Sequence, residues 1–166
     1  MLFRSIFFPK DLGDAMAGRV RFLDESHSVI FTDKGIQFFS TRVETSPELV
    51  SQIPIEENIR SITYAQDKVG IVTDNVEGGD PYKLRIYDRE GSPVFEKTFN
   101  YQYTGFDIDG DLVLLYNDSS CKVYNMTGTE KYNGTFDFTV SKVSAGRFPG
   151  TLLVMGPQKM TEIKLQ

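Results

Sequence analysis

Tyr87-Asp-Arg-Glu-Gly91-Ser-Pro-Val-Phe95-Glu-Lys-Thr98-Phe99 and Tyr124-Asn-Met-Thr-Gly128-Thr-Glu-Lys-Tyr132-Asn-Gly-Thr135-Phe136 align residue for residue. Each reads as a β-hairpin. An alternating run precedes the turn, Leu84-Arg-Ile86-Tyr87 in one copy and Cys121-Lys-Val123-Tyr124 in the other, as expected of a strand with one apolar face. Asp88 or Asn125 follows, a residue that tolerates left-handed backbone and bonds its own chain, and the glycine three positions on can supply a positive φ. After the turn, Phe95 and Phe99 in one copy and Tyr132 and Phe136 in the other recur four residues apart and so share one side of the returning strand.

The repetition extends beyond this pair. Short apolar runs stand ahead of it at Ser28-Val-Ile30-Phe31-Thr, Val69-Gly-Ile71-Val72-Thr, Leu112-Val-Leu114-Leu115 and Thr151-Leu-Leu-Val154-Met. With Ile30, Val72, Leu114 and Val154 taken as equivalent, the steps are 42, 42 and 40 residues. A period of about 41 residues with four short strands per unit is the signature of β-propeller blades. The predicted fold is therefore all-β and propeller-like, one domain over residues 1–166 with blade units near 18–57, 58–100, 101–138 and 139–166.

The last unit contains only three predicted strands, ending in Met160-Thr-Glu-Ile163-Lys-Leu165. An uncovered strand edge is a template for unwanted pairing. The N-terminal strand predicted at residues 2–8, Leu-Phe-Arg-Ser-Ile-Phe-Phe before Pro9, is the expected cover and would complete that blade. Between it and the first unit, Asp11 to Ala17 is read as one turn of helix.

Composition narrows the function classes. A net charge of −5 and a pI near 4.9 exclude a dedicated nucleic-acid or anionic-membrane surface, which needs a clustered positive field. The single cysteine, Cys121, sits at an alternating strand position and reads as a small buried residue. The opening Met-Leu-Phe-Arg-Ser-Ile-Phe-Phe-Pro lacks the small-residue cleavage site of a secretory signal. No stretch approaches the ~20 apolar residues of a membrane span, so the chain as given is expected to be soluble.

Phe-Pro-Lys-Asp near the start, Phe22-Leu-Asp, Val29 to Gly35, Ile59-Arg-Ser-Ile62, Tyr82 to Gly91, Gly128 to Phe136 and Glu162-Ile-Lys-Leu together resemble the domain of unknown function family 5711. The resemblance covers nearly all of this chain and the C-terminal half of the family pattern. It implies a bacterial protein in which a transmembrane helix precedes a propeller-like domain about twice this length, lying outside the cytoplasmic membrane. Any membrane attachment would come through a segment this chain lacks. The family supplies no catalytic or binding residues to carry over.

Candidate sites follow from residue types. Asp107, Asp109 and Asp111 alternate, so three hard oxygens could meet one cation, yet the early Gly110 and the missing distal glutamate do not fit an EF-hand. Asp109-Gly110 reads more simply as a hairpin turn. The acidic loop Glu77-Gly78-Gly79-Asp80 is the candidate interaction loop, since binding concentrates in loops on rigid frames. His27, beside Asp24, Glu25 and Ser26, invites a catalytic-triad reading but is expected to be a surface-loop histidine. Tyr64, Tyr101, Tyr103, Phe106 and Tyr116 are expected to pack between sheets in preference to lining a ligand mouth.

No catalytic residue, cofactor or metal is assigned. The expectation is a non-enzymatic binding or protein-interaction module with a protein or carbohydrate ligand. The alternatives are a carbohydrate-active hydrolase with two converging carboxylates, and a self-association domain in which a homodimer builds a larger propeller.

Overall fold

The computed structural model describes residues 15–41, 47–65 and 67–165. Every helix or strand among them is a strand. The helical turn expected at Asp11 to Ala17 is not formed at its described end, because Ala17 already opens the first strand; the rest of it, and the strand expected at residues 2–8, lie outside the described residues. The chain divides into two compact units, Met1–Glu56 with Arg89–Ser92, and Glu57–Asp88 with Pro93–Gln166.

The first unit holds one antiparallel sheet, β1 (Ala17–Phe22), β2 (His27–Thr32), β3 (Gly35–Ser40) and β4 (Glu48–Pro54), in sequence order. Asp33 and Lys34 form the tight turn between β2 and β3. The glycine that follows is obligatory: at Gly35 (φ 141°) a Cβ would lie 2.1 Å from the Ile53 carbonyl oxygen. Gly91 adopts the predicted positive φ, and a Cβ there would fall 2.7 Å from the Phe38 ring.

The second unit stacks three sheets. They are β5 (Ile59–Ala65) to β8 (Pro93–Phe99), with β6 (Lys68–Asp74) and β7 (Tyr82–Asp88) between; β9 (Gly105–Asp109), β10 (Leu112–Tyr116), β11 (Ser120–Asn125) and β12 (Glu130–Thr135); and β13 (Lys142–Ala145), β14 (Thr151–Met155) and β15 (Met160–Lys164). Every pairing is antiparallel and between chain neighbours, the simplest outcome of strands joined by short turns.

Two apolar layers hold the stack. Val72, Leu84, Ile86 and Phe99 of one sheet meet Ile108, Val113, Leu115 and Tyr124 of the next. The opposite face of that middle sheet packs Leu114, Tyr116, Cys121 and Val123 against Val143, Leu152 and Val154. Burial on both faces is why Leu112-Val-Leu-Leu reads as a continuous apolar run and not as an alternation. Each fully buried aliphatic side chain here contributes about 1.5–3 kcal/mol. Neighbouring sheets approach through their first strands, β5 beside β9 and β9 beside β13. That is a propeller-like arrangement.

Ile30, Val72, Leu114 and Val154 all fall on the second strand of their sheets, as the period requires. The face differs at the last step. Val72 and Leu114 each turn toward the following sheet, whereas Val154 turns back toward the preceding one. The longer connection 146–150 between β13 and β14 shifts the register where Gly110-Asp111 suffices between β9 and β10.

The third strands β7 and β11 are largely buried, but β15, third of its sheet, is exposed or half-buried throughout. Among the described residues no fourth strand covers its outer edge.

Candidate functional site

Three of the four second strands are followed directly by an Asp or Asn whose side chain ties nearby backbone: Asp33, Asn75 and Asn117, each 42 residues after the last. Asp33 Oδ1 accepts the Met16 amide at 2.8 Å. Asn117 Oδ1 accepts the amides of Ser119 and Ser120 at 3.0 and 2.9 Å, while its Nδ2 donates to the Gln102 carbonyl at 2.8 Å. The Asn117 bonds to Ser119 and Ser120 mimic a turn, whereas Asp33 ties its strand end back to the residue ahead of β1.

Asn75 builds the predicted interaction loop in the same way. Its Nδ2 donates to the carbonyls of Gly78 and Asp80 at 3.0 and 2.8 Å, and its Oδ1 accepts the Glu77 amide at 3.3 Å. Gly78 and Gly79 take φ of 89° and 85° with open space around them. Asp80 accepts the Thr98 hydroxyl at 3.2 Å, and Glu77 lies 3.4 Å from Lys83 Nζ. The loop is therefore fixed from within and carries Val76, 75% exposed, at its surface.

Lys83 also meets Glu96 at 3.0 Å, and Arg85 bridges Glu96 and Glu57. The hydrogen bond from Arg85 holds the Glu57 carboxyl below its ordinary range, and the contact with Glu96 raises the Lys83 ammonium. This ladder keeps charged residues on a largely buried strand without leaving any of them unpaired.

The three carboxylates considered for a metal do not converge. Asp107 and Asp109 tie β9 to β13 instead. Asp107 pairs with Lys142 and accepts the Tyr116 hydroxyl at 3.1 Å, and Asp109 accepts the Ala145 amide at 2.8 Å. Asp111 sits exposed in the turn after Gly110 (φ 57°), the hairpin reading of this stretch. No group of three His, Cys, Asp or Glu side chains poised for a metal occurs among the described residues.

His27 corrects the surface-loop expectation. It is 3% exposed, at the start of β2, with Nδ1 2.9 Å from Asp24. Burial alone would raise the Asp24 pKa, but the Ser26 amide and the His27 ring outweigh it and bring it to about 2. Among the described residues no hydroxyl or thiol hydrogen-bonds the His27 ring to complete a triad, and Arg89 instead approaches the same carboxylate at 3.2 Å.

Tyr101, Tyr103, Phe106 and Tyr116 pack between sheets as expected. Tyr103 contacts Tyr82, Phe99 and Phe106, with its hydroxyl 2.9 Å from Ser61 Oγ. Tyr101 donates to the Ser120 carbonyl at 2.9 Å, the Tyr116 ring lies flat over Gly105, and Tyr64 is half-buried on β5. Burial pushes the Cys121 thiol up to about 12.

Sequence reasoning missed a shallow dish of about 250 Å³ at the end of the last sheet, lined by Phe138, Thr139, Gly156, Pro157, Gln158 and Lys159. Gly156 stands where the other sheets carry Asp33, Asn75 and Asn117. A Cβ there would lie 2.3 Å from the Thr139 carbonyl oxygen and 2.8 Å from the Phe138 ring. Lys159 Nζ sits 4.9 Å from the centre of that ring and 2.8 Å from Asp137. The break in the Asp/Asn pattern was the available signal.

A match to the family described as "Family of unknown function (DUF5711)" spans residues 6–165. The chain belongs to that family. No curated protein matches this family member in sequence. Among solved structures, Kluyveromyces lactis Hsv2 is similar at 10% identity and TM-score 0.51, over 89% of this chain and 45% of that one. A functionally unknown protein from Desulfotomaculum acetoxidans is similar at 14% and 0.50, over 92% and 56%. BBS1N, solved in complex with ARL6DN, is similar at 11% and 0.52, over 90% and 52%. These likenesses concern fold, and the chain spans about half the length of the solved structures it matches.

Proposed function

We propose that this domain is a non-enzymatic interaction module of the propeller type, whose sheets are blades and whose ligand is met by the loops. The observation that carries the reading is the internal pinning of the Asn75–Pro81 loop, which presents Val76, Glu77 and Asp80 in a fixed conformation on a packed sheet. A preorganised loop loses little entropy on binding and needs no reactive group. The side chains best suited to chemistry have structural partners: His27 with Asp24, Asp107 with Lys142, and Cys121 within the core. A position outside the cytoplasmic membrane is part of this proposal.

A photo-crosslinking residue at position 76 tests this in the producing cell. Discrete adducts that disappear with Glu77→Lys and Asp80→Lys are expected, and the purified domain should not turn over nitrophenyl glycosides. Turnover that depends on a carboxylate substitution, or crosslinking indifferent to the loop charges, would refute it. A second reading is self-association, favoured by the exposed third strand β15 and by Val20 and Phe22 on β1, 43% and 59% exposed. Light scattering distinguishes a monomer from a dimer.

A further inference from the structure

The dish at Gly156 combines three features. Its floor is an aromatic ring, its rim carries hydrogen-bonding groups of both kinds, and its opening depends on the absence of one Cβ. The Phe138 ring is half-buried and braced by Phe136, 5.5 Å away, so its orientation is set by the core. The turn above it is closed by backbone alone, the Gly156 amide donating to the Lys159 carbonyl at 2.7 Å, with Pro157 stiffening its first central position. The exposed Gln158 amide and Thr139 hydroxyl have no hydrogen-bond partner among the described residues.

Charge selects the ligand. The Lys159–Asp137 pair is neutral as a whole, so the site favours neither an anion nor a cation, and in a chain of net charge −5 an anion is disfavoured further. The pair is also exposed, with side chains 50% and 81% accessible, so a ligand can move the ammonium off the ring face at small cost. Size adds a limit. A dish of about 250 Å³ is smaller than the roughly 300–1,000 Å³ of sites for drug-sized ligands and suits one small ring. A neutral ring with an apolar C–H face and a rim of hydroxyls matches all of these: the face stacks on Phe138, and the hydroxyls meet Gln158, Thr139, Asp137 and Lys159.

We propose that Phe138, Thr139, Gly156, Gln158 and Lys159, with Asp137, form a binding subsite for a single neutral pyranose unit of a carbohydrate. The site rests on the reading of the domain as a binding module and gives it a ligand class. Titration of the full chain with glucose, galactose and N-acetylglucosamine, followed by amide chemical shifts, tests it. At least one sugar should shift the amides of residues 137–139 and 156–159 selectively and saturably, with a millimolar Kd. Gln158→Ala, an exposed change that leaves the core intact, should weaken that binding about fivefold, the loss of one hydrogen bond. Gly156→Ala should abolish it by filling the cradle. Shifts from none of the three sugars, or shifts insensitive to Gln158→Ala, would overturn the subsite. Either result is independent of crosslinking at position 76, so failure of the loop reading and failure of this one are separable.

Discussion

Gly70 offers a direct test of how the sheets of the second unit are stacked. It lies on β6, where a Cβ would stand 2.8 Å from the tip of Phe106 and 3.0 Å from the Cδ1 atoms of Ile108 and Ile86. Carbon atoms in ordinary contact are roughly 3.5–4.0 Å apart, so Gly70→Ala forces three core side chains to give at once. Overpacking of this kind costs about 1–3 kcal/mol. The gain from restricting the unfolded chain, about 0.4–1 kcal/mol, offsets part of it, because Gly70 has an ordinary backbone conformation. The middle of these ranges gives a net loss of about 1.3 kcal/mol, read as a lower urea midpoint at unchanged m-value. Phe106→Leu withdraws the atom nearest the new methyl. Alone it should destabilise by thinning the core, but combined with Gly70→Ala it should cost less than the sum, with a coupling of about 0.5–3 kcal/mol. Additivity to within about 0.5 kcal/mol would mean that Phe106 does not lie over Gly70, and the stacking described here would be wrong.

Leu114→Ala, at a fully buried site between the middle and last sheets, should cost about 2–5 kcal/mol in the same denaturation assay. A thiol reagent should label Cys121 only after unfolding, since the side chain is inaccessible and its thiol is pushed up to about 12; rapid stoichiometric labelling of the native protein would contradict that. The Asp24 pKa is depressed from 3.8 to about 2, so its stabilisation is fully present above 3.8 and fades as pH falls through about 2. Melting curves of Asp24→Asn and the parent should therefore converge as pH falls toward 2. Millimolar calcium should leave the melting temperature unchanged, because Asp107 and Asp109 already hold β13; a rise that chelation reverses would restore the metal reading.

The strands were legible because alternation and turn residues are local signals. Gly91, Gly110 and Gly128 adopt the positive φ that their turns require. Asn125 shows a finer point: its Oδ1 accepts the Thr127 and Thr129 amides at 3.1 and 2.8 Å, and the residue does not itself adopt a left-handed conformation. What local signals could not convey was partnership across space. Burial of His27 depends on a carboxylate that folds back onto its ring, and a polar cluster at 24–28 looks like any solvated loop in one dimension. The reversed face of Val154 likewise depends on a loop length whose effect on register appears only when β13 is paired with β14. The dish left only the break in the Asp/Asn pattern as a local signal, because the approach of Phe138 and Thr139 to Gly156 is a contact between residues distant in the chain.

The repeat itself separates scaffold from site. Where a side-chain tie to nearby backbone recurs, as with Asp33, Asn75 and Asn117, the residue is explained by the backbone it holds and needs no ligand to account for it. Gly156 abandons that solution at the equivalent place: its loop keeps the backbone closure that the Asn75 and Asn117 loops also make but has no side-chain tie, and the surface beside it is unfilled. Glycine is a poor choice for stability at such a position, since it loses more entropy on folding than asparagine and contributes no tie. Departures of this kind from an otherwise consistent local pattern tend to coincide with function. Restoring the pattern with Gly156→Asn would drive a side chain into the Thr139 carbonyl and the Phe138 ring, so the last sheet cannot regain the shared loop without losing the close approach that shapes the dish.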